Sequence, residues 1–156
     1  MMAKKTFREK LADKGLPKVE PLSGGMEKRY GPGTILIPAP YEVKQIMDEV
    51  PFGRVITIND MRQYLADQHG ATMACPIVTG ILARIVAGAA GEDEADGETS
   101  ITPYWRTLKS GGLLNEKYPG GLLLQKQRLE QEGHQITVKR KRYLLEQYED
   151  VTHALT

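Results

Sequence analysis

Cys75 precedes Pro76 at the predicted start of a helix, where the helix dipole lowers a thiol pKa and favours a nucleophilic thiolate. The same position also suits a small, partly buried cap, which is how a lone cysteine commonly packs. Tyr104-Trp105-Arg106 offers a different chemistry: an aromatic platform for a nucleobase, with Arg106 fixing the loop. Such stacking contributes about 1–3 kcal/mol per base and tolerates any sequence. Alternatively, Tyr104 and Trp105 fill a cavity, as a chain's single Trp often does. The unbroken run Lys139, Arg140, Lys141, Arg142 suits phosphate contacts, or else a solvated strand edge that resists aggregation. His69 and Asp67 lack the third converging ligand that zinc needs, while His134 reads as a packing position and His153 as a tail residue. Neither a metal nor a cofactor is expected.

The 156 residues carry 21 Lys plus Arg against 20 Asp plus Glu, a net charge of +1, so total charge assigns no partner. Hydrophobic residues make up 40% and charged residues 26%, which excludes wholesale disorder. The longest apolar runs are too short to cross a bilayer, and no apolar stretch after Lys4, Lys5, Arg8 and Lys10 makes a signal peptide. With one cysteine, a cytoplasmic, monomeric protein is expected. The charges are uneven. Residues 1–31 hold eight basic groups (those four with Lys14, Lys18, Lys28 and Arg29) against four acids. Residues 92–98, EDEADGE, read as a self-repelling solvated loop that should face away from any nucleic acid.

These groups need elements to position them. Residues 1–33 read as a basic arm in which Phe7, Leu11 and Lys14 line a short helix before Pro17, Pro21, Gly24 and Gly25 break it. Residues 34–37 read as a strand. Val43, Ile46, Met47 and Val50 fall on one face of a helix that Pro51 ends. A second helix opens after Thr57 or Asn59 as cap, buries Met61, Tyr64 and Leu65, and closes at His69-Gly70. A third starts at Pro76 and runs towards Ala90. Leu122 to Glu132 forms a later helix, residues 136–138 and 143–145 a strand or hairpin, and the last residues a frayed helix. The expected class is a mainly α, winged-helix-like helix-turn-helix domain with a short β element. Its divisions are an arm (1–33), the domain (34–135) and a basic strand and tail (136–156).

Over residues 41–134 the sequence resembles the DNA-binding, active-site domain of the O6-alkylguanine-DNA alkyltransferases and their non-catalytic relatives, the alkyltransferase-like proteins. Val50-Pro51-Phe52-Gly53-Arg54-Val55-Ile56-Thr57 is similar to the family's V-P-x-G-x-V-x-T. Ile101-Thr102-Pro103-Tyr104-Trp105-Arg106 sits where the family has I-P-C-H-R. Gly112-Leu113, Tyr118-Pro119-Gly120-Gly121-Leu122 and Glu132-Gly133-His134 resemble G-x-L, Y-x-G-G-L and E-G-H. The resemblance places Tyr104 at the nucleophilic cysteine and Trp105 at its histidine base, with Arg106 and Glu132 retained. A phenol near pKa 10 has almost no anion at neutral pH, so alkyl transfer at this position is not expected. The family tyrosine beside the rotated phosphate falls on Ile58, and the arginine that fills the gap of the flipped base falls on Ile77. The loop serine falls on Pro119.

The resemblance implies a non-catalytic protein that binds duplex DNA, recognises modified or distorted sites in repair, and has room for a repair-protein partner. DNA contacts are expected from Thr57, Ile58, Pro76, Ile77, Thr79, Arg106 and Lys139 to Arg142, and a base pocket from Tyr104, Trp105, Tyr118, Pro119 and Glu132. Two rivals remain. One is a helix-turn-helix module repurposed for regulation or protein contact, with its pocket filled. The other is alkyl transfer through a relocated Cys75. An open pocket at Tyr104, Trp105 and Tyr118 favours the first reading, a filled one the second.

Overall fold

In the computed structural model, which describes residues 6–12 and 15–156, helices dominate and the strands form three small sheets. Helix α1 (Phe7–Lys10) is capped by Thr6, whose hydroxyl accepts from the Glu9 amide at 3.1 Å. Strand β1 (Lys18–Pro21), helix α2 (Gly24–Tyr30) and strand β2 (Thr34–Ile37) follow. β1 pairs antiparallel with β2, so that Lys18 faces Ile37 and Pro21 faces Thr34. The segment expected as an arm therefore lies on the domain over its described residues, with α1 against the long fifth helix. Lys4, Lys5 and Lys14 lie outside the described residues.

Helix α3 (Pro40–Glu49) buries Val43, Ile46 and Met47 as their spacing requires, and Val50 leaves the helix in an extended conformation before Pro51. Strand β3 (Ile56–Thr57) leads into helix α4 (Ile58–Gln68). Thr57, not Asn59, is its cap. The Thr57 hydroxyl accepts from the Asp60 amide, and the Asp60 carboxylate accepts from the Thr57 amide at 3.0 Å. This reciprocal pair satisfies two otherwise orphaned backbone donors. Strand β4 (Met73–Ala74) pairs parallel with β2 and completes the sheet β1-β2-β4. Helix α5 (Pro76–Ala95) follows, then strand β5 (Thr107–Leu108), which pairs parallel with β3. Helix α6 (Gly121–Gln131) precedes a hairpin of β6 (Ile136–Lys139) and β7 (Arg142–Leu145).

Val43, Met47, Met61, Leu65, Leu82, Val86 and Tyr104 share the main core, where α3, α4 and α5 meet. Val55, Leu108, Leu114, Leu129 and Leu145 form a second cluster that ties α6 and the hairpin to β3 and β5.

Two expectations are corrected. The acidic block is not a loop: α5 runs to Ala95, five residues beyond the expected end at Ala90. Acids in a last turn oppose the helix dipole, which favours cations there. The helix continues because cations from elsewhere neutralise them. Arg8 pairs with Glu92, Asp93 and Asp96, and Arg128 pairs with Glu94 at 2.6 Å. The tail, expected as a frayed helix, forms one 3-10 turn (Tyr148–Val151) and then runs alongside Val55. The Val55 amide donates to Val151 O at 3.0 Å and the His153 amide to Val55 O at 2.8 Å, so the β3 edge captures the backbone in extended form.

Candidate nucleic-acid interface

Tyr104, at the position that resembles the nucleophile's, is interior and satisfied, and Trp105, at that of the base, is half-buried and satisfied. Tyr104 begins a 3-10 turn (Tyr104–Arg106) after Pro103 and is fully buried. Its ring packs edge-on against Trp105 at 5.4 Å and Tyr118 at 5.6 Å, and its hydroxyl donates to Pro119 O at 3.2 Å. Burial raises the phenol pKa, and nearby Arg128 offsets only part of that rise. Burial raises Tyr118 further still. Trp105 is half-buried and donates its indole N–H to Glu132 Oε2 at 2.7 Å. An indole nitrogen is a donor only, so it cannot take a proton from a nucleophile.

Glu132 collects the remaining donors. Arg106 Nε reaches both of its oxygens at 3.0 Å, Arg106 Nη2 lies 2.9 Å from Oε2, and the Gly53 amide donates to Oε1 at 2.9 Å. Burial alone would raise the Glu132 pKa. The hydrogen bonds from Arg106, Gly53 and Trp105, with the Arg106 charge, outweigh it and hold the carboxyl below its ordinary value. Arg106 also donates to Val50 O at 2.7 Å, so one ion pair fastens the 50–53 turn, the 104–106 turn and the end of α6 together. An open depression of about 380 Å³ borders Trp105, Arg106 and Arg128, but Tyr104 and Tyr118 do not line it. Arg128 lies over the Trp105 ring at 4.7 Å.

The opposite character is found where α4 and α5 begin. A trough of about 620 Å³ runs between their first turns and residues 109–117. Its floor includes Ile58, Pro76, Gly80 and Leu113, and its rim carries Arg62, Arg84, Lys109, Lys117 and Arg142 against one acid, Glu116. Lys109 pairs with Glu116 at 3.2 Å, and Arg62 donates to Ala74 O and Asn59. Among the described residues Arg62, Arg84, Lys117 and Arg142 make no ion pair. Beside the trough, Ile77 and Ile81 project from α5, Ile77 with 69% exposure. An exposed aliphatic side chain among unpaired cations can supply apolar contact to an anionic surface that those cations hold.

The sequence-predicted residues divide accordingly. Ile58 and Pro76 line the trough, Ile77 lies beside it, and Lys139 to Arg142 are exposed on the hairpin. Three expected DNA contacts have their polar groups on partners within the protein. Thr57 is buried as the α4 cap, Thr79 is buried with its hydroxyl on Cys75 O at 2.7 Å, and Arg106 is held by Glu132. Each uses its polar group inside the protein. The expected base-pocket residues Tyr104, Trp105, Tyr118, Pro119 and Glu132 do come together: Tyr104 and Tyr118 are buried and packed, while Trp105 and Glu132 border the open depression. Cys75 is buried in a cluster with Leu22 and Ile35 and does not line the trough. Sequence reading missed Arg62, Arg84, Lys109 and Lys117. Arg84 was findable, since it stands seven residues after Ile77 on the same helical face. Lys109 and Lys117 reach the rim only because β5 pairs with β3, which no local pattern announces.

No protein-family model matches the chain, and no curated protein sequence matches it. Two solved structures are similar in fold. One is S. pombe Atl1 in complex with damaged DNA containing O6-carboxymethylguanine, at 19% identity and a TM-score of 0.50, covering 74% of this chain and 94% of that one. The other is S. pombe ATL in complex with DNA, at 18% identity and a TM-score of 0.49, with the same coverage. At such identity the first likeness shows a shared fold.

Proposed function

We propose that the protein binds duplex DNA through the α4–α5 trough and does so without lodging a base at the Tyr104 position. The trough carries this reading: five cations against one acid, four of the cations free of ion pairs among the described residues, around the N-terminal parts of two successive helices. Phosphate contacts of this kind dominate affinity and are independent of sequence. The fold shared with a protein crystallised on damaged DNA supports the partner class. The buried Tyr104 supports the second half of the proposal, because its ring and hydroxyl fill and satisfy the place a base would need. The same feature argues against alkyl transfer there, since the phenol is kept neutral and has no base beside it. A repurposed helix-turn-helix that contacts a protein is the second reading, favoured by that filled interior and by the exposed Ile77 and Ile81.

Binding of labelled duplexes with and without O6-methylguanine, at two salt concentrations, separates the readings. The proposal expects equal affinity for both duplexes and a steep loss with salt. A clear preference for the modified duplex would refute the filled-pocket part. No binding at low salt would leave the protein-contact module. Ile77→Ala sharpens the geometry: an inserted side chain contributes about 1.5–3 kcal/mol of apolar burial. That loss should appear in DNA affinity while the melting temperature stays put, because the side chain starts exposed.

A further inference from the structure

The trough does not end at Arg142. That residue and Leu113 also line a second depression of about 450 Å³, bounded by Gly111, Lys139, Arg140 and Leu144. We propose that the β6–β7 hairpin is a second phosphate-gripping element, which follows the sugar–phosphate backbone of a duplex away from the trough with Arg140 at its tip. This rests on the duplex-binding reading above.

Three observations carry it. First, Lys139 pairs with Arg142, so Arg140 and Lys141 form a two-residue turn, and Arg140 sits at φ +59°. Turns that need a positive φ normally take Gly, Asn or Asp, which adopt it with little strain. Here the chain places a cation in that conformation, which non-glycine residues adopt uncommonly and at some strain. Second, Lys139 to Arg142 are all exposed, and among the described residues none makes an ion pair. Four neighbouring uncompensated cations repel one another, and a polyanion relieves that repulsion. Third, the hairpin is anchored to the trough. The Leu114 amide donates to Tyr143 O at 2.9 Å, Leu113 bridges Leu144, and Leu145 is buried. The cations of the hairpin and Lys109 of the trough therefore belong to one body. A duplex seated on one meets the other without further ordering, and pre-organisation of this kind improves affinity by lowering the ordering cost.

The backbone conformation makes the test discriminating. Arg140→Gly removes the cation and suits the positive φ, so it should not lower the melting temperature. It should weaken binding of a labelled duplex severalfold. Combined with Lys141→Ala, it should reduce the slope of log K against log salt by up to about two, near 0.9 for each phosphate no longer neutralised. If the wild type binds duplex in a salt-dependent way and the double variant keeps both affinity and slope, the hairpin is removed from the interface while duplex binding stands. If the wild type binds no duplex at low salt, both readings fall. A single-stranded RNA competitor that displaces the duplex at a lower concentration than unlabelled duplex would overturn duplex DNA as the partner of the hairpin.

Discussion

The two ends of α5 are built on opposite principles. At its start, Ile77, Ile81 and Arg84 are exposed and Arg84 has no ion-pair partner among the described residues. At its end, Glu92, Asp93, Glu94 and Asp96 are all engaged, by Arg8 or by Arg128. The helix dipole points the same way, positive at the start and negative at the end. Negative charge is thus neutralised within the molecule at one end, and positive charge is left open at the other. A protein whose total charge is +1 can in this way present a face suited to a polyanion. The packed Tyr104 cluster lies against the acidic end, with Pro119 beside Gly91 and Arg128 between Glu94 and Trp105, and has a structural task, holding three chain segments in register.

Breaking that cluster should have the largest effect. The Arg106–Glu132 pair is buried, with side-chain exposures of 13% and 4%. Glu132→Ala leaves the Arg106 charge unpaired and strands the Trp105 and Gly53 donors, so thermal unfolding should show a loss of about 3–5 kcal/mol. Glu132→Gln, which keeps an acceptor and similar shape, should cost less. The pH dependence follows from the depressed Glu132 pKa. A carboxyl whose folded pKa lies below its unfolded value stabilises the fold above the unfolded pKa, about 4.3 for Glu. That stability is lost as pH falls through the folded pKa. His134 adds to the acid loss, because burial lowers its pKa and the fold holds it neutral. The wild type should therefore lose stability steeply in the acid range, and Glu132→Gln should flatten the carboxylate part of that curve. An unchanged curve in the variant would mean that Glu132 is not the group responsible.

Next in size is charge reversal at the open end. Arg84→Glu with Lys117→Glu places like charge against phosphate, which costs several kcal/mol, so duplex affinity should fall on the order of a hundredfold at low salt. Both residues are exposed, and folding should be unaffected. The matching change at the closed end, Glu94→Gln, should leave affinity within about twofold, as expected of a partly exposed rim charge. Equal losses from the two ends would show that net charge, and not the trough, governs binding.

The contrast between the ends also marks what the sequence could reveal. Val43, Ile46, Met47 and Val50 announce α3, and Thr57 with Asp60 announces α4, because periodicity and caps are written within a few residues. The extension of α5 to Ala95 was illegible, since the charges that permit it come from Arg8 and Arg128, which are distant in sequence. The identities of the cluster residues Tyr104, Trp105, Tyr118, Pro119 and Glu132 were readable, but their burial was not, because a pocket and a packed cluster use the same residues. The internal hydrogen bonds of Thr79 and Arg106 were illegible for a related reason. Which face of a helix or turn is spent on internal hydrogen bonds is decided by its neighbours.

The smallest effect tests the closed end itself. A methyl group added at Gly88 would lie 2.3 Å from the Phe7 ring, so Gly88→Ala cannot coexist with α1 in its present place. Gly88 sits mid-helix between buried Ala87 and Ala89, and α5 is fixed in the core, so α1 must give way. Phe7 is 38% exposed, so by moving it gives up the burial of the rest of its ring, about 1–2 kcal/mol. Against that loss stands the helix propensity gained on replacing Gly by Ala, about 1 kcal/mol. The two nearly cancel, and the melting temperature should barely change. What should change is local protection. The Phe7 and Arg8 amides donate to the Glu92 carboxylate at 3.1 and 2.9 Å, so in the variant their hydrogen exchange should accelerate while that of α5 stays slow. Duplex affinity should hold, because the trough lies at the other end of the helix. A fall in melting temperature with amide protection intact would instead make α1 part of the core, and the acidic end of α5 would then be closed by packing rather than by charge.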